Sequence, residues 1–217
     1  MSSPTTPVAN DPAKGNRLLF GLGWVVALVL LAYFIHKNIP RYLHFTAESY
    51  GGHFWPLAHF LVPHIAGGLL AALIGPVQFW PKMRRDYLGA HRIAGRVYLV
   101  GVLVGALASW GMAVHLMDDP AYGTGLFALG VAWIATTAMA FVAIKRGNLV
   151  QHKQWMVRSY VVTFAFVSFR LVDDSLDALQ VWDGDKRGAM LAWACWAVPL
   201  LVTELVIQGG AVFRARR

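Results

Sequence analysis

The apolar residues of this chain are gathered into six runs of about 20 residues each, and this grouping limits the fold more than any other feature. A helix rises about 1.5 Å per residue, so such a run crosses the roughly 30 Å hydrocarbon core of a bilayer. With 57% hydrophobic and 14% charged residues, the chain is also more apolar than a soluble domain. The pattern predicts an all-α, polytopic membrane bundle of six transmembrane helices, over Leu18–Ile35, Leu57–Trp80, Ile93–Val114, Gly125–Ile144, Trp155–Val172 and Ala189–Phe213.

Lysine and arginine fall mainly in alternate gaps between these runs. Cytoplasmic loops of membrane proteins are enriched in these residues, so the side with more lysine and arginine is predicted to be cytoplasmic. Both termini lie on that side. The formal charge of +8 would favour nucleic acid as the partner of a soluble protein, but here it follows membrane topology and predicts lipid contact without nucleic acid. The cytoplasmic side then holds fourteen of the nineteen basic residues, namely Lys14, Arg17, Lys82, Arg84, Arg85, Arg92, Arg96, Lys145, Arg146, Lys153, Arg158, Arg214, Arg216 and Arg217.

The ends of the chain suggest a simple domain organisation. Residues 1–16 are rich in Ser, Thr, Pro, Asn and Asp, and they lack the apolar surface that would offset the entropy of ordering. We expect a disordered cytoplasmic tail there and a transmembrane domain over 17–217, with its core motif region at 57–172. No small-x-small cleavage site follows the first run, so we expect a retained helix rather than a secretory signal. The single cysteine, Cys195, excludes an intramolecular disulfide and a cysteine-based zinc site.

Small residues recur at four-residue spacing in two of the runs. Gly67, Ala71 and Gly75 lie in the second run, and Gly101 and Gly105 lie in the third. Small residues at this spacing let helix backbones approach closely in a membrane, so the spacing predicts a compact bundle and carries no information about chemistry.

The eight histidines differ in their expected depth. His36, His44, His53 and His59 belong to the outer interface, where a half-exposed imidazole costs little. His64 lies roughly 10 Å inside the second helix and needs a hydrogen-bond partner or a metal.

His91 and His152 open the third and fifth helices on the inner side. Two imidazoles on different helices are what bis-histidine ligation of a haem, or part of a metal site, requires. The alternative is a structural role, in which the two histidines only form hydrogen bonds at the ends of their helices. His115 follows His91 by 24 residues, about 36 Å along a helix, so these two cannot share one site.

Three charged residues within the runs also need partners, because charges are costly in lipid. Arg158 and Glu204 fall at similar depths, so we expect an ion pair between them. Arg170, near the outer end of the fifth run, is expected to be neutralised by Asp173 and Asp174, or to bind a carboxylate.

Searches for enzyme motifs are negative. The sequence contains no Gly-rich phosphate loop, no H-E-x-x-H and no G-x-S-x-G pattern, so hydrolase and kinase chemistry is unsupported and a redox role stays open.

Several motifs occupy the middle of the chain, at His64–Gly67, Gly75–Phe79, His91–Tyr98, His152–Tyr160, Thr163–Ala165 and Arg170. Together they resemble the DUF2306 family of uncharacterised bacterial integral membrane proteins. The resemblance covers about half of the chain and implies a polytopic protein of a bacterial cell membrane, without an assigned biochemical function.

Two functional hypotheses follow from these residues. The first is a b-type cytochrome-like electron carrier that exchanges electrons with a redox partner or quinone. Its haem b would be held by His91 and His152, with His64 as an alternative ligand, and its propionates by Arg92, Arg96 or Arg158. The second is a cofactor-free transporter or assembly partner with a buried polar network that includes Gln78, Arg158 and Glu204. The oligomeric state is open under both.

Overall fold

A computed structural model describes the backbone of residues 12–214 and the side chains of 21–210 and 212. The first helix begins at Pro12, so the last five residues of the expected tail are helical. Residues 1–11, the rest of that tail, lie outside the described residues. Within the described range the protein contains helices and no strand, which confirms the all-α prediction.

The helices follow one another with short connections. In chain order they are α1 (Pro12–Asn38), a 3₁₀ helix (Pro40–Leu43), α2 (Ala47–Phe54), α3 (Ala58–Phe79), α4 (Pro81–Asp86), α5 (Leu88–His115), α6 (Pro120–Lys145), α7 (Leu149–Thr163), α8 (Ala165–Ala178) and α9 (Gly184–Arg214).

Six helical segments of the described chain are long and apolar enough to cross a membrane, as the sequence predicts. They lie in α1, α3, α5, α6, the pair α7 and α8, and α9. The fifth span is divided at Phe164, which separates α7 from α8. We call the two ends of the bundle the α2 end, which also holds the 3₁₀ helix, and the α4 end, which also holds the turn at 146–148. The assignment of the α4 end to the cytoplasm stays a prediction.

Polar side chains start several of these helices. Asp119 accepts hydrogen bonds from the amides of Ala121 and Tyr122 at the start of α6, and the Asn148 side chain accepts one from the Gln151 amide at the start of α7. Each bond satisfies an amide that would otherwise be unpaired in the first turn of its helix. In this way the short connections set where the spans begin.

The backbones of α3 and α5 are in direct contact. A Cβ atom on Gly67 would lie 2.5 Å from the carbonyl oxygen of Gly101 and 2.7 Å from the amide nitrogen of Gly105. At Gly75 a Cβ atom would overlap the ring of Tyr160 on α7. The close packing predicted from the small-residue spacing is therefore confirmed, and it leaves no room for a side chain at these positions.

A buried hydroxyl network joins α5, α6 and α7. The Tyr98 hydroxyl lies 2.8 Å from both Ser159 Oγ and Thr163 Oγ1, and Trp133 Nε1 donates to Thr163 Oγ1 at 2.8 Å. Thr137 Oγ1 lies 2.7 Å from Ser159 Oγ. Because both threonines donate their protons to backbone carbonyls, Tyr98 must donate to Thr163. Ser159 must likewise donate to Thr137, so every hydroxyl proton has an acceptor and no proton remains for the Tyr98–Ser159 contact. These bonds fix the relative positions of the three helices.

The segment between α1 and α3 closes the α2 end of the bundle. Tyr50 of α2 is 2% exposed and packs in one cluster with Leu57, Leu61, Met112 and Leu116. The 3₁₀ helix and α2 therefore lie across the ends of α3 and α5.

We predict that Gly67→Ala lowers the free energy of unfolding by about 1–3 kcal/mol, because its methyl group would force the α3 and α5 backbones apart. Gly89→Ala is the matched control, since no atom lies within 4 Å of a Cβ atom there. Denaturation of the detergent-solubilised protein, followed by circular dichroism, measures both. Equal stability of the two variants would contradict the packing described above.

Candidate functional site

A cavity opens inside the bundle near the α2 end. Its empty volume is about 950 Å³, including its open mouth, and α1, α3, α5, α6, α8 and α9 all contribute to its walls. Most of the lining is aromatic or aliphatic, with Phe34, Ile39, Phe54, Leu61, Ile65, Met112, Leu126, Leu129, Phe166 and Phe169. A mainly apolar cavity with a few polar groups is typical of a small-molecule site.

His64 places one imidazole in the wall of this cavity. Its Nδ1 atom lies 2.9 Å from the backbone carbonyl oxygen of Gly105 on α5. A carbonyl oxygen only accepts, so Nδ1 carries the proton and Nε2 of the neutral ring keeps its lone pair. No described residue bonds to Nε2. His64 therefore has the buried partner that the sequence required, and a second nitrogen free to accept a hydrogen bond or bind a metal.

Arg170 of α8 supplies a positive charge to the same cavity. Its Nη1 atom is 3.9 Å from the Asp173 carboxylate, which is too long for a hydrogen bond. Asp173 is instead bonded to Arg187 at 2.8 Å, and Asp174 is bonded to Lys37 at 2.7 Å. The prediction that Asp174 neutralises Arg170 is therefore wrong, because Asp174 pairs with Lys37 instead. Asp173 lies near Arg170 but forms its hydrogen bond with Arg187.

Besides Tyr42 of the 3₁₀ helix, three further polar groups line the cavity, and the sequence did not single them out as a site. Asn38 donates from its amide to the Phe34 carbonyl at 3.2 Å, which leaves its side-chain oxygen available. Tyr122 and the buried thiol of Cys195 complete the polar part of the wall. These residues come from α1, α6 and α9, and no spacing in the sequence relates them.

At the α4 end the structure brings His91 and His152 together. The two imidazoles are close enough to interact electrostatically. His152 Nδ1 lies 2.9 Å from the carbonyl oxygen of Ala140 on α6, so its Nε2 atom keeps a lone pair. His91 Nδ1 is buried and has no hydrogen-bond partner among the described residues.

His64 does not belong to this pair. Its partner Gly105 follows His91 by 14 residues on α5, which is about 21 Å along the helix. Among the described residues no group of three or more His, Cys, Asp or Glu side chains is placed to hold a metal ion. His91 and His152 line neither the His64 cavity nor the shallower one between α6 and α7 at Arg146 and Trp155. A haem between them stays a prediction.

The predicted ion pair between Arg158 and Glu204 is confirmed. Arg158 is 5% exposed, and its Nε atom donates to the Glu204 carboxylate at 2.7 Å. Its guanidinium also lies 4.6 Å from the centre of the Trp155 ring. Only Nη1 of this arginine remains unpartnered, while Arg92 and Arg96 are exposed.

The comparison with known families supports the membrane assignment. A family model described as a predicted membrane protein, DUF2306, matches residues 61–207, which is more than half of the chain. The matched region includes His64, His91, His152 and Arg170. No curated protein and no solved structure matches the chain.

We predict that Glu204→Leu lowers the free energy of unfolding by about 2 kcal/mol, because it leaves the Arg158 guanidinium buried without a counter-charge. This value is below that of a fully buried pair, since the Glu204 side chain is 42% exposed. The double variant with Arg158→Leu should recover more than half of the loss. Lys186→Ala, in an exposed pair with Asp183, is the control and should be neutral in the same denaturation assay. Additive losses in the double variant would contradict the coupling.

Proposed function

Since the chain belongs to the DUF2306 family of membrane proteins, we propose that it binds a small amphipathic acid in the His64 cavity, as a membrane receptor or carrier. The observation behind this proposal is the His64 ring, which the Gly105 carbonyl holds with its other nitrogen free, in a cavity that Arg170 also lines. The proposal is a version of the cofactor-free transporter hypothesis, and it places the ligand near the α2 end of the bundle.

The polar groups of the cavity favour a carboxylic headgroup. Neutral His64 can accept a hydrogen bond at Nε2, and Arg170 can only donate. A protonated carboxylic acid supplies both complements, because its hydroxyl donates and its carbonyl oxygen accepts. An ionised carboxylate would pair with the guanidinium in the same place.

The rest of the cavity favours an apolar tail. The Phe34, Phe54, Phe166 and Phe169 side chains line it together with several aliphatic side chains. Each Å² of apolar surface removed from water contributes about 25 cal/mol to the free energy of binding. A chain of several methylene groups is therefore held without further polar contacts.

Binding of radiolabelled decanoic acid to the purified protein in a maltoside detergent tests this proposal. We expect saturable binding, and His64→Phe and Arg170→Leu should each raise the dissociation constant about tenfold or more, because each removes one hydrogen bond to a charged or acidic headgroup. Methyl decanoate, which lacks the hydroxyl and the charge, should not compete.

His115→Phe is the matched control. His115 is exposed and its Nδ1 atom lies 2.8 Å from the Gly111 carbonyl of its own helix, so its loss should leave binding unchanged. Absence of saturable binding, or equal affinity of all three variants, would rule out this cavity as the acid site.

Haem between His91 and His152 is the second hypothesis. In its favour is the proximity of the two rings and the free Nε2 atom of His152. Haem would supply one-electron chemistry, and these side chains would hold it as axial ligands. The hypothesis ranks second because His91, unlike His64, has no hydrogen bond at Nδ1 to the described part of the chain that would fix its ring.

A reduced-minus-oxidised absorption spectrum of protein from haem-supplemented cells tests this hypothesis. It predicts sharp α and Soret bands that disappear in His91→Ala and His152→Ala and persist in His36→Ala. A flat spectrum at full haem supply would eliminate the electron-carrier hypothesis.

A further inference from the structure

We propose that Gln78 and His91 form a phosphate-binding site at the α4 end of the bundle, with positive charge from Arg84 and Arg92. The site is independent of the His64 cavity, which lies toward the opposite end. It would take the phosphate group of an anionic lipid or inorganic phosphate.

The first observation is a pair of buried polar atoms without partners. Gln78 is 6% exposed, and its Nε2 atom has no hydrogen-bond partner in the described chain. The same holds for Nδ1 of His91. Leaving one such group unpaired costs about 1–3 kcal/mol, so two together indicate a missing partner, which for the Gln78 amide nitrogen must be an acceptor.

The two side chains lie on one strip of the α3–α5 interface. Gln78 Oε1 is 3.4 Å from the position that a Cβ atom on Gly95 would occupy. Gly95 follows His91 by one helical turn, so both face the same side of α5. The Gln78 amide therefore lies against the α5 backbone one turn from His91.

The surroundings of His91 are positive. Arg84 and Arg92 both act electrostatically on His91, and no acidic residue of the described chain is among the groups that do so. Asp86, the nearest acid in the sequence, is held by Arg85 through hydrogen bonds of 2.7 and 3.3 Å. An anion at this position would therefore meet uncompensated positive charge.

The start of α5 adds to this charge. Tyr87 provides no side-chain cap, and the first turn of α5 contains no acidic residue. The unpaired amides of a helix N-terminus carry a partial positive charge and favour anions. His91 lies at the end of this first turn, so the helix dipole acts on the same ligand.

A phosphate group fits this set of donors better than a carboxylate. It offers several acceptor oxygens to an amide, an imidazole and two guanidinium groups, and its charge suits paired arginines. The site also lies where α5 begins its span, at the depth of lipid headgroups, so a phospholipid can reach it with its acyl chains along the bundle.

Native mass spectrometry of the full chain from nanodiscs of equal parts phosphatidylglycerol and phosphatidylcholine tests the site. We expect retained phosphatidylglycerol, reduced at least fivefold in the combined variant Gln78→Leu with His91→Leu. Arg85→Ala is the matched control, because it removes a basic residue from the same connection but one already paired with Asp86. It should change lipid retention by less than twofold.

Two further variants separate binding from folding. Gln78→Leu removes a buried unpaired amide, so it should unfold at the same temperature as the wild type or higher while it loses lipid. Gln78→Glu keeps the size of the side chain and should abolish retention by repelling the phosphate. If Gln78 only fills space in the core, Gln78→Leu should be less stable than the wild type, and Gln78→Glu should still retain phosphatidylglycerol.

Titration of the delipidated protein with inorganic phosphate distinguishes the two sources of the group. If millimolar phosphate raises the unfolding temperature of the wild type but not of Gln78→Glu, the site binds the free anion. If the protein retains phosphatidylglycerol but phosphate does not raise its unfolding temperature, the site binds the lipid headgroup. The proposal is overturned if neither ligand binds, if Arg85→Ala reduces binding as much as Gln78→Glu, or if a haem spectrum disappears in His91→Ala.

Discussion

The direct backbone contact between α3 and α5 is the constraint on which the rest of the structure depends. Glycines at 67, 101 and 105 allow it, because any side chain at Gly67 would overlap the opposite backbone. The contact also brings the Gly105 carbonyl within reach of His64, and further along it sets Gln78 against Gly95. One tight helix pair therefore positions groups in both candidate sites.

The hydroxyl network of Tyr98, Trp133, Thr137, Ser159 and Thr163 fixes the other half of the bundle against this pair. Its hydrogen bonds run between three helices in a region where lipid offers no alternative partners. All of its protons are assigned by the two threonine-to-carbonyl bonds, so it has a structural explanation without a ligand. This distinguishes it from the α4 end, where two buried donors have none.

The two ends of the bundle present different chemistry. Near the α2 end, apolar walls surround one imidazole lone pair and one guanidinium, which suits a weakly acidic amphiphile. Near the α4 end, unpaired donors lie among basic residues and a helix N-terminus, which suits a group with a full negative charge.

Hydropathy and residue spacing alone determined the six spans, the tight packing at Gly67 and Gly105 and the pairing of Arg158 with Glu204, because span length, small-residue spacing and the cost of a charge in lipid depend on local sequence. The sequence also marked His64 as a residue inside a span and His91 and His152 as candidate ligands at the starts of two spans. Only the tertiary structure decided that His64 shares a cavity with Arg170, Asn38 and Cys195, that Asp174 pairs with Lys37, and that Gln78 lies beside the turn of His91. These neighbours come from different helices, and which faces of two helices meet is set by the packing of the whole bundle.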